Sequence, residues 1–269
     1  MRISEIQRLS AQGSIGLILC IMPSVACAED VNVGFGFGVA PSYLGGSDYI
    51  IVPLPSVSVS SGPVIVRTNN LGLEAGIEIT PTLTIGAIGR VDPGRNSLFN
   101  VRDAVVQKLR KVSPSVELGG FVEFRLPLNG NNEPGATLFT RIAAEKGLEG
   151  GHGGLLIESS MGVFAPLGAR TSFAASAFLN WQDQRYANSF FSVDAEDARA
   201  SGLTAFAARS GVRDIGVSVL FDRQIGGSWS AGFVSSLGRL QSSASASPIV
   251  MQRGSATQLF GGFTISRRF

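Results

Sequence analysis

The chain has 269 residues and a net charge of +2, from 22 Lys and Arg against 20 Asp and Glu, scattered along its length. That balance excludes a nucleic-acid surface, which needs a basic patch. Charged residues make up only 16%, against roughly 25% in a soluble domain, yet beyond the N-terminus no run of about 18 apolar residues can form a spanning helix. Apolarity spread over short segments suits a membrane β-barrel, where every second residue meets lipid.

The N-terminus reads as an export segment. Arg2 and Arg8 carry its positive charge, "SIGLILCIMPSVA" is its apolar run, and Ala26-Cys27-Ala28 fits small-x-small cleavage after Ala28. Residues 1–28 are therefore expected to be a cleaved signal peptide, and 29–269 a single domain. Pro23 and the flanks count against a core helix. A lipoprotein would acylate Cys27, but Ser24-Val25-Ala26 lacks the expected leucine. Both cysteines lie in this segment, so the mature chain would hold no disulfide, thiolate or cysteine-metal site. Export without cysteine suits a Gram-negative envelope.

"VNVGFGFGVA" (31–40) alternates without error, with Val31, Val33, Phe35, Phe37 and Val39 on one face. A period of two over ten residues suits a tilted spanning strand. "LGLEAGIEIT" (71–80) and "SVELGGFVEFRL" (115–126) alternate likewise, and 154–165, 170–181, 214–223, 228–240 and 256–269 follow. Further candidates are 50–60, 63–69, 82–91, 136–146 and 202–210. The small and polar face carries Glu74, Glu78, Glu117, Glu123 and Arg125, which suits a hydrated lumen and not a core. The expected fold is all-β: an antiparallel transmembrane β-barrel of the outer membrane with about 12 strands, in a range of 10–14. A soluble lipocalin-like barrel is the competing reading.

These segments number 13, and a single-chain bacterial barrel has an even count. Either 63–69 and 71–80 form one bulged strand around Asn69-Asn70, or a strand is hidden in 182–201. Within the connection 92–114, "VRDAVVQKLRKV" (101–112) reads as a short helix on the rim, with Val101, Val105, Leu109 and Val112 on one face.

Chemistry is sparse. His152, in "EGGHGG", is the only histidine; its glycine neighbours describe a flexible turn and not a positioned base. "GFGFG" (34–38) opens no helix, so it is no phosphate loop. The carboxylates at 74, 78, 117 and 123 read as lumen groups with Arg90 and Arg125 as counter-charges. No catalytic, cofactor or metal residue is expected. In "PSYLGGSDYIIVPLP" (41–55) the turn formers Gly45, Gly46, Ser47 and Asp48 make a first connection. Tyr43 and Tyr49 are expected in an interfacial girdle, and Pro53 and Pro55 predict an irregular start to the second strand.

That stretch resembles the first-loop fingerprint of the MipA/OmpV family of outer-membrane proteins, the MltA-interacting proteins, through Pro41, Tyr43, Gly45, Asp48, Tyr49, Pro53 and Pro55. "WQDQRYANSFFSV" (181–193) resembles a second motif through Trp181, Asp183, Tyr186, Phe190 and Val193. "SPIV" (247–250), with Ser247 and Pro248, and a terminal Phe269 continue in order. Leu44, Ser47 and Ser192 depart from the pattern. Phe269, closing an amphipathic last strand, resembles the signal read by the barrel assembly machinery. The resemblance implies a non-enzymatic scaffold in outer-membrane lipid, linking a lytic murein transglycosylase to a bifunctional penicillin-binding protein in peptidoglycan remodelling. A small-solute channel, or a surface adhesin or antigen, is the alternative.

Overall fold

The computed structural model describes residues 30–128, 135–148 and 150–269. The expected signal segment and its cleavage site at Ala28 lie outside them.

The alternating segments become strands of a closed antiparallel barrel, each paired with its sequence neighbours. They are β1 (Asp30–Pro41), β2 (Tyr49–Ser61), β3 (Val64–Asn69), β4 (Gly72–Thr80), β5 (Leu83–Asp92), β6 (Ser115–Pro127), β7 (Thr137–Gly147), β8 (Leu155–Pro166), β9 (Thr171–Gln182), β10 (Gly211–Gly226), β11 (Trp229–Leu240) and β12 (Thr257–Arg268). β1 closes onto β12 from Asn32↔Arg268 to Val39↔Gly261. The apolar row faces outward: Phe35, Phe37 and Val39 are exposed, while Gly36 and Gly38 are buried inside. Gly36 is dictated by this seam, since a Cβ there would lie 1.8 Å from the Phe263 carbonyl. Among the described residues no helix is long and apolar enough to cross a membrane, so the strands do the spanning.

The even strand number brings the start of β1 and the end of β12 to one end. The fully described turns at that end are short, for example Gly227–Ser228 between β10 and β11. The connections 42–48, 93–114, 148–154 (149 aside), 183–210 and 241–256 gather at the other, distal end. Outer-membrane barrels keep short turns in the periplasm and long connections outside. The distal connections carry α1 (Gln184–Phe191), α2 (Ala195–Ser201), α3 (Ser242–Ser245) and α4 (Pro248–Arg253).

Several expectations are corrected. The surplus strand is 202–210, which makes only one isolated bridge, Val193↔Phe206; its Leu203 and Ala208 are buried in the distal connections instead of a wall. β3 and β4 are separate strands of one hairpin, and 182–201 holds two helices. The helix expected over 101–112 shrinks to one 3-10 turn at Val106–Lys108. Asp103 draws the Val105 and Val106 amides into a turn, and the Arg110 amide is taken by Asp197 from another connection. Pro53 and Pro55 sit inside a regular stretch of β2, opposite Phe37 and Phe35 of β1.

Candidate functional site: the lumen and its cap

The distal connections pack as a cap with its own apolar interior. One cluster joins Val112, Tyr186, Ala187, Phe190, Phe191, Leu240, Ala244 and Val250. A second joins Tyr43, Val101, Val106, Leu109, Val193, Leu203 and Ile249. Each fully buried Phe or Ile contributes roughly 1.5–3 kcal/mol, so the cap is a small core over the barrel mouth.

Several of the residues that carry the resemblance lie in this cap. Asp183 caps α1 by accepting from the Tyr186 amide at 2.8 Å. Tyr186 and Phe190 follow at helical spacing and stack at 4.6 Å. Ser247 caps α4, with Pro248 in its first turn, and its Oγ donates to the Phe191 carbonyl at 2.7 Å. The first connection is stapled to the last: Tyr43 Oη donates to the Arg253 carbonyl at 3.2 Å, and the Ser255 amide to the Gly45 carbonyl at 2.9 Å. Gly45 has φ +90°, and a Cβ on it would strike Val250. Asp48 closes its own turn through its carbonyl, which accepts from the Ser42 amide. Tyr43 is therefore buried, not in a girdle, whereas Tyr49 is exposed at the start of β2. Pro41 ends β1, and Trp181 lies on the wall in β9. Phe269 stands apart at the terminal end, exposed, with the Arg267 guanidinium 4.9 Å over its ring. Ser192, a departure from the family pattern, is engaged, accepting from the Ala208 amide at 2.9 Å.

Ion pairs latch the connections together. Arg253 Nη2 meets Asp103 at 2.7 Å, tying 241–256 to 93–114. Arg110 Nη1 meets Asp194 at 2.5 Å, tying 93–114 to 183–210. Buried Arg95 donates to the Phe190 carbonyl at 2.6 Å and the Arg110 carbonyl at 3.2 Å. Burial pulls the Arg95 guanidinium down to about 10, with Asp197 opposing. Burial, with Asp103 nearby, pushes the Tyr43 hydroxyl up to about 12. Burial also works to raise the Asp103 carboxyl, but Arg253 and the Val106 and Val105 amides outweigh it and hold it below the usual carboxylate value. The Asp197 and Glu196 amides and Arg110 hold Asp194 low.

Below the cap, one side of the lumen is charged. Toward the terminal end, Glu74 pairs with Arg67 and, at 2.6 Å, with Arg141; Glu123 meets Arg125 at 2.6 Å and Arg67 at 3.3 Å. Toward the cap, Arg90 meets Glu117 at 2.9 Å, Glu145 at 3.2 Å and Glu158 at 3.3 Å. Of these counter-charges the sequence named Arg90 and Arg125. Arg67, Arg141, Glu145 and Glu158 were missed, although Arg141 and Glu145 share the inward parity of β7.

His152 is not in a flexible turn. It is buried, its Nε2 lies 2.9 Å from Glu117 Oε1, and its Nδ1 accepts from the Gly154 amide at 3.0 Å. Its ring stands edge-on to Tyr186 at 4.8 Å. Asp92, Glu117 and His152 bring ligand-type atoms within 4.8 Å of one another. Those atoms already serve Arg90, the Gly94 amide and the Gly154 amide, so the cluster works as a latch from the 148–154 connection to the wall.

Two cavities lie in the lumen among the described residues. The distal one, about 420 Å³, lies under the cap and includes Leu54, Phe178, Asn180, Arg213 and Phe260. The other, about 640 Å³, includes Arg67, Glu123, Arg125, Phe139 and Arg141.

A closed barrel with an outward apolar band and an ion-paired lumen defines an outer-membrane β-barrel protein. A family model described as MltA-interacting protein MipA matches residues 33–269. The chain belongs to that family, and it is an outer-membrane protein of a Gram-negative bacterium. Among solved structures it is similar to an outer-membrane channel from Pseudomonas putida F1, at 11% identity and TM-score 0.47 over 90% of this chain and 95% of that one. It is also similar to the monoaromatic hydrocarbon channel CymD, at 10% identity and TM-score 0.42 over 91% and 90%. No curated protein matches by sequence.

Proposed function

We propose that this protein is a gated channel for small solutes, with the cap as its gate. The observation that supports this most is a lumen holding cavities of about 420 and 640 Å³ beneath connections joined by a few ion pairs. The lumen-facing Arg and Glu side chains are paired with one another, which suits transit of polar solutes without tight binding of one charge. Planar-bilayer recording tests it. Asp103→Asn weakens the tie between two cap connections and is expected to raise open probability over the wild type. Silent membranes from both proteins would refute the channel.

The family's description supports a second reading, a scaffold that holds a murein-cleaving enzyme. Its contact surface would be the terminal end, where the described turns are short. Crosslinking in envelopes is expected to recover a lytic murein transglycosylase with this chain; recovery of none would remove the reading.

A further inference from the structure

β2 is longer than the wall it borders. Its first half pairs with β1 from Pro41↔Tyr49 to Gly34↔Ser56. Its ladder with β3 spans only Ser58↔Arg67 to Ser61↔Val64. Where the two part, the Val57 amide donates to Thr68 Oγ1 at 3.1 Å, and Thr68 Oγ1 donates back to the Val57 carbonyl at 3.4 Å. A side chain thus ends the ladder, and the β3–β4 hairpin turns back at Asn70, whose φ is +51°. From Val57 to Tyr49, β2 runs on for about 26 Å, at roughly 3.3 Å per residue, with no strand among the described residues paired on that side.

The sequence is adapted to this notch. In an antiparallel strand, alternate residues direct N–H and C=O to the same neighbour. Val57 points to the β3 side, so Pro55 and Pro53 do too. Of the residues in this register, Pro55 and Pro53 have no N–H to leave unpaired, where an unpaired N–H at membrane depth costs several kcal/mol; Ile51 and Tyr49, nearer the distal end opposite Val39 and Pro41, keep theirs. The notch also lies within the lipid band: Pro53 is opposite Phe37 and Pro55 opposite Phe35, both exposed outward.

Behind the notch is the distal cavity. Val52 and Leu54 of β2, with Phe260 of β12 beside Leu54, form one bank, Leu71 and Phe99 the other, and Phe178 of β9 lines the far side. The packed cap roofs it. Its ionic groups serve each other: Arg213 binds Asp214, Asn180 donates to Asp214 at 2.7 Å, and Arg213 donates to Tyr186 Oη at 2.9 Å. Asp92, which also lines the cavity, accepts from the Gly94 amide at 2.7 Å, so among the described lining residues Arg213 and Asp214 are spent on each other and Asp92 is engaged by the backbone.

We infer that the notch between β2 and the β3–β4 hairpin is a side entrance from the outer leaflet, through which the distal cavity takes up a small, uncharged, mainly apolar molecule. The volume lies in the range of small-molecule sites, about 300–1,000 Å³. The C=O groups of Pro53 and Pro55, directed into the notch, offer acceptors to a single polar end. This goes beyond axial passage of polar solutes and does not depend on it.

The test uses tryptophan fluorescence in a Trp181→Phe, Trp229→Phe background, in dioleoylphosphatidylcholine vesicles with or without dibrominated acyl chains, which quench on contact. Leu54→Trp faces inward beside the notch and is expected to be quenched nearly as strongly as outward-facing Phe37→Trp. Ser218→Trp, inside the lumen away from the notch, is expected to be spared. Leu54→Trp as unquenched as Ser218→Trp would overturn the entrance. Val52→Trp replaces Leu54→Trp if the latter loses the heat-modifiable gel shift of a folded barrel. In detergent, the neutral probe N-phenyl-1-naphthylamine is expected to bind wild type saturably, and Leu54→Glu about tenfold more weakly. Unsaturable binding, or equal affinity in both proteins, would overturn the site. Bilayer conductance of the same proteins reports on axial passage alone.

Discussion

His152 and Gly36 show how much single residues decide in this barrel. His152 joins the 148–154 connection to Glu117 and to the Tyr186 ring. His152→Ala removes a donor to a buried carboxylate and is expected to cost about 1–3 kcal/mol, read as a lower urea midpoint of the vesicle-inserted barrel. An unchanged midpoint would show that the latch carries no stability. Gly36→Val places side-chain atoms against the Phe263 carbonyl, at the seam that closes the barrel. Loss of the heat-modifiable form is the expected result. Gly36 was legible from strict alternation; His152 was not, because glycine neighbours speak only of backbone freedom. Its partners come from β6 and α1, far along the chain.

Among the elements, the strands were legible and the cap was not. Period-two patterning is local, and it gives eleven strands their place almost residue for residue. Segment 202–210 misled because its apolar residues pack into the cap, where no lattice imposes a period. The helix of 101–112 stops after the single turn that Asp103 caps, since the Arg110 amide is taken by Asp197 from another connection. Phe191, the last residue of α1, fully buried in the cluster that includes Val250 of α4, makes the cap's dependence on packing testable. Phe191→Ala is expected to cost about 3–5 kcal/mol, appearing as faster proteolysis of 183–210 while the barrel stays heat-modifiable. The latches also set a pH dependence. Asp103 and Asp194 have lowered values in the folded cap, so their stabilisation is complete above the ordinary aspartate value of about 3.9. It is lost as pH falls through the lowered ones. Amide exchange in 93–114 and 241–256 is expected to accelerate only below about pH 4; acceleration already near neutrality would mean that other groups hold the cap.

For the whole molecule, the central claim is one of sidedness: a barrel whose Asp30 and Phe269 ends and described short turns face the periplasm and whose packed cap faces outward. Export, alternation and the terminal Phe269 gave the class of fold from sequence, but sidedness required an even strand count, and one surplus strand was enough to hide it. Both functional readings turn on it, since a gate belongs to the outer mouth and a murein enzyme reaches only the inner one. The most direct measurement labels single cysteines in intact cells with a membrane-impermeant maleimide, after Cys20 and Cys27 are replaced by Ser. Met251→Cys on exposed α4 and Ser228→Cys in the Gly227–Ser228 turn are the two probes. The account predicts that position 251 reacts at once and position 228 only after the outer membrane is permeabilised. The reverse pattern would contradict it and place the cap in the periplasm.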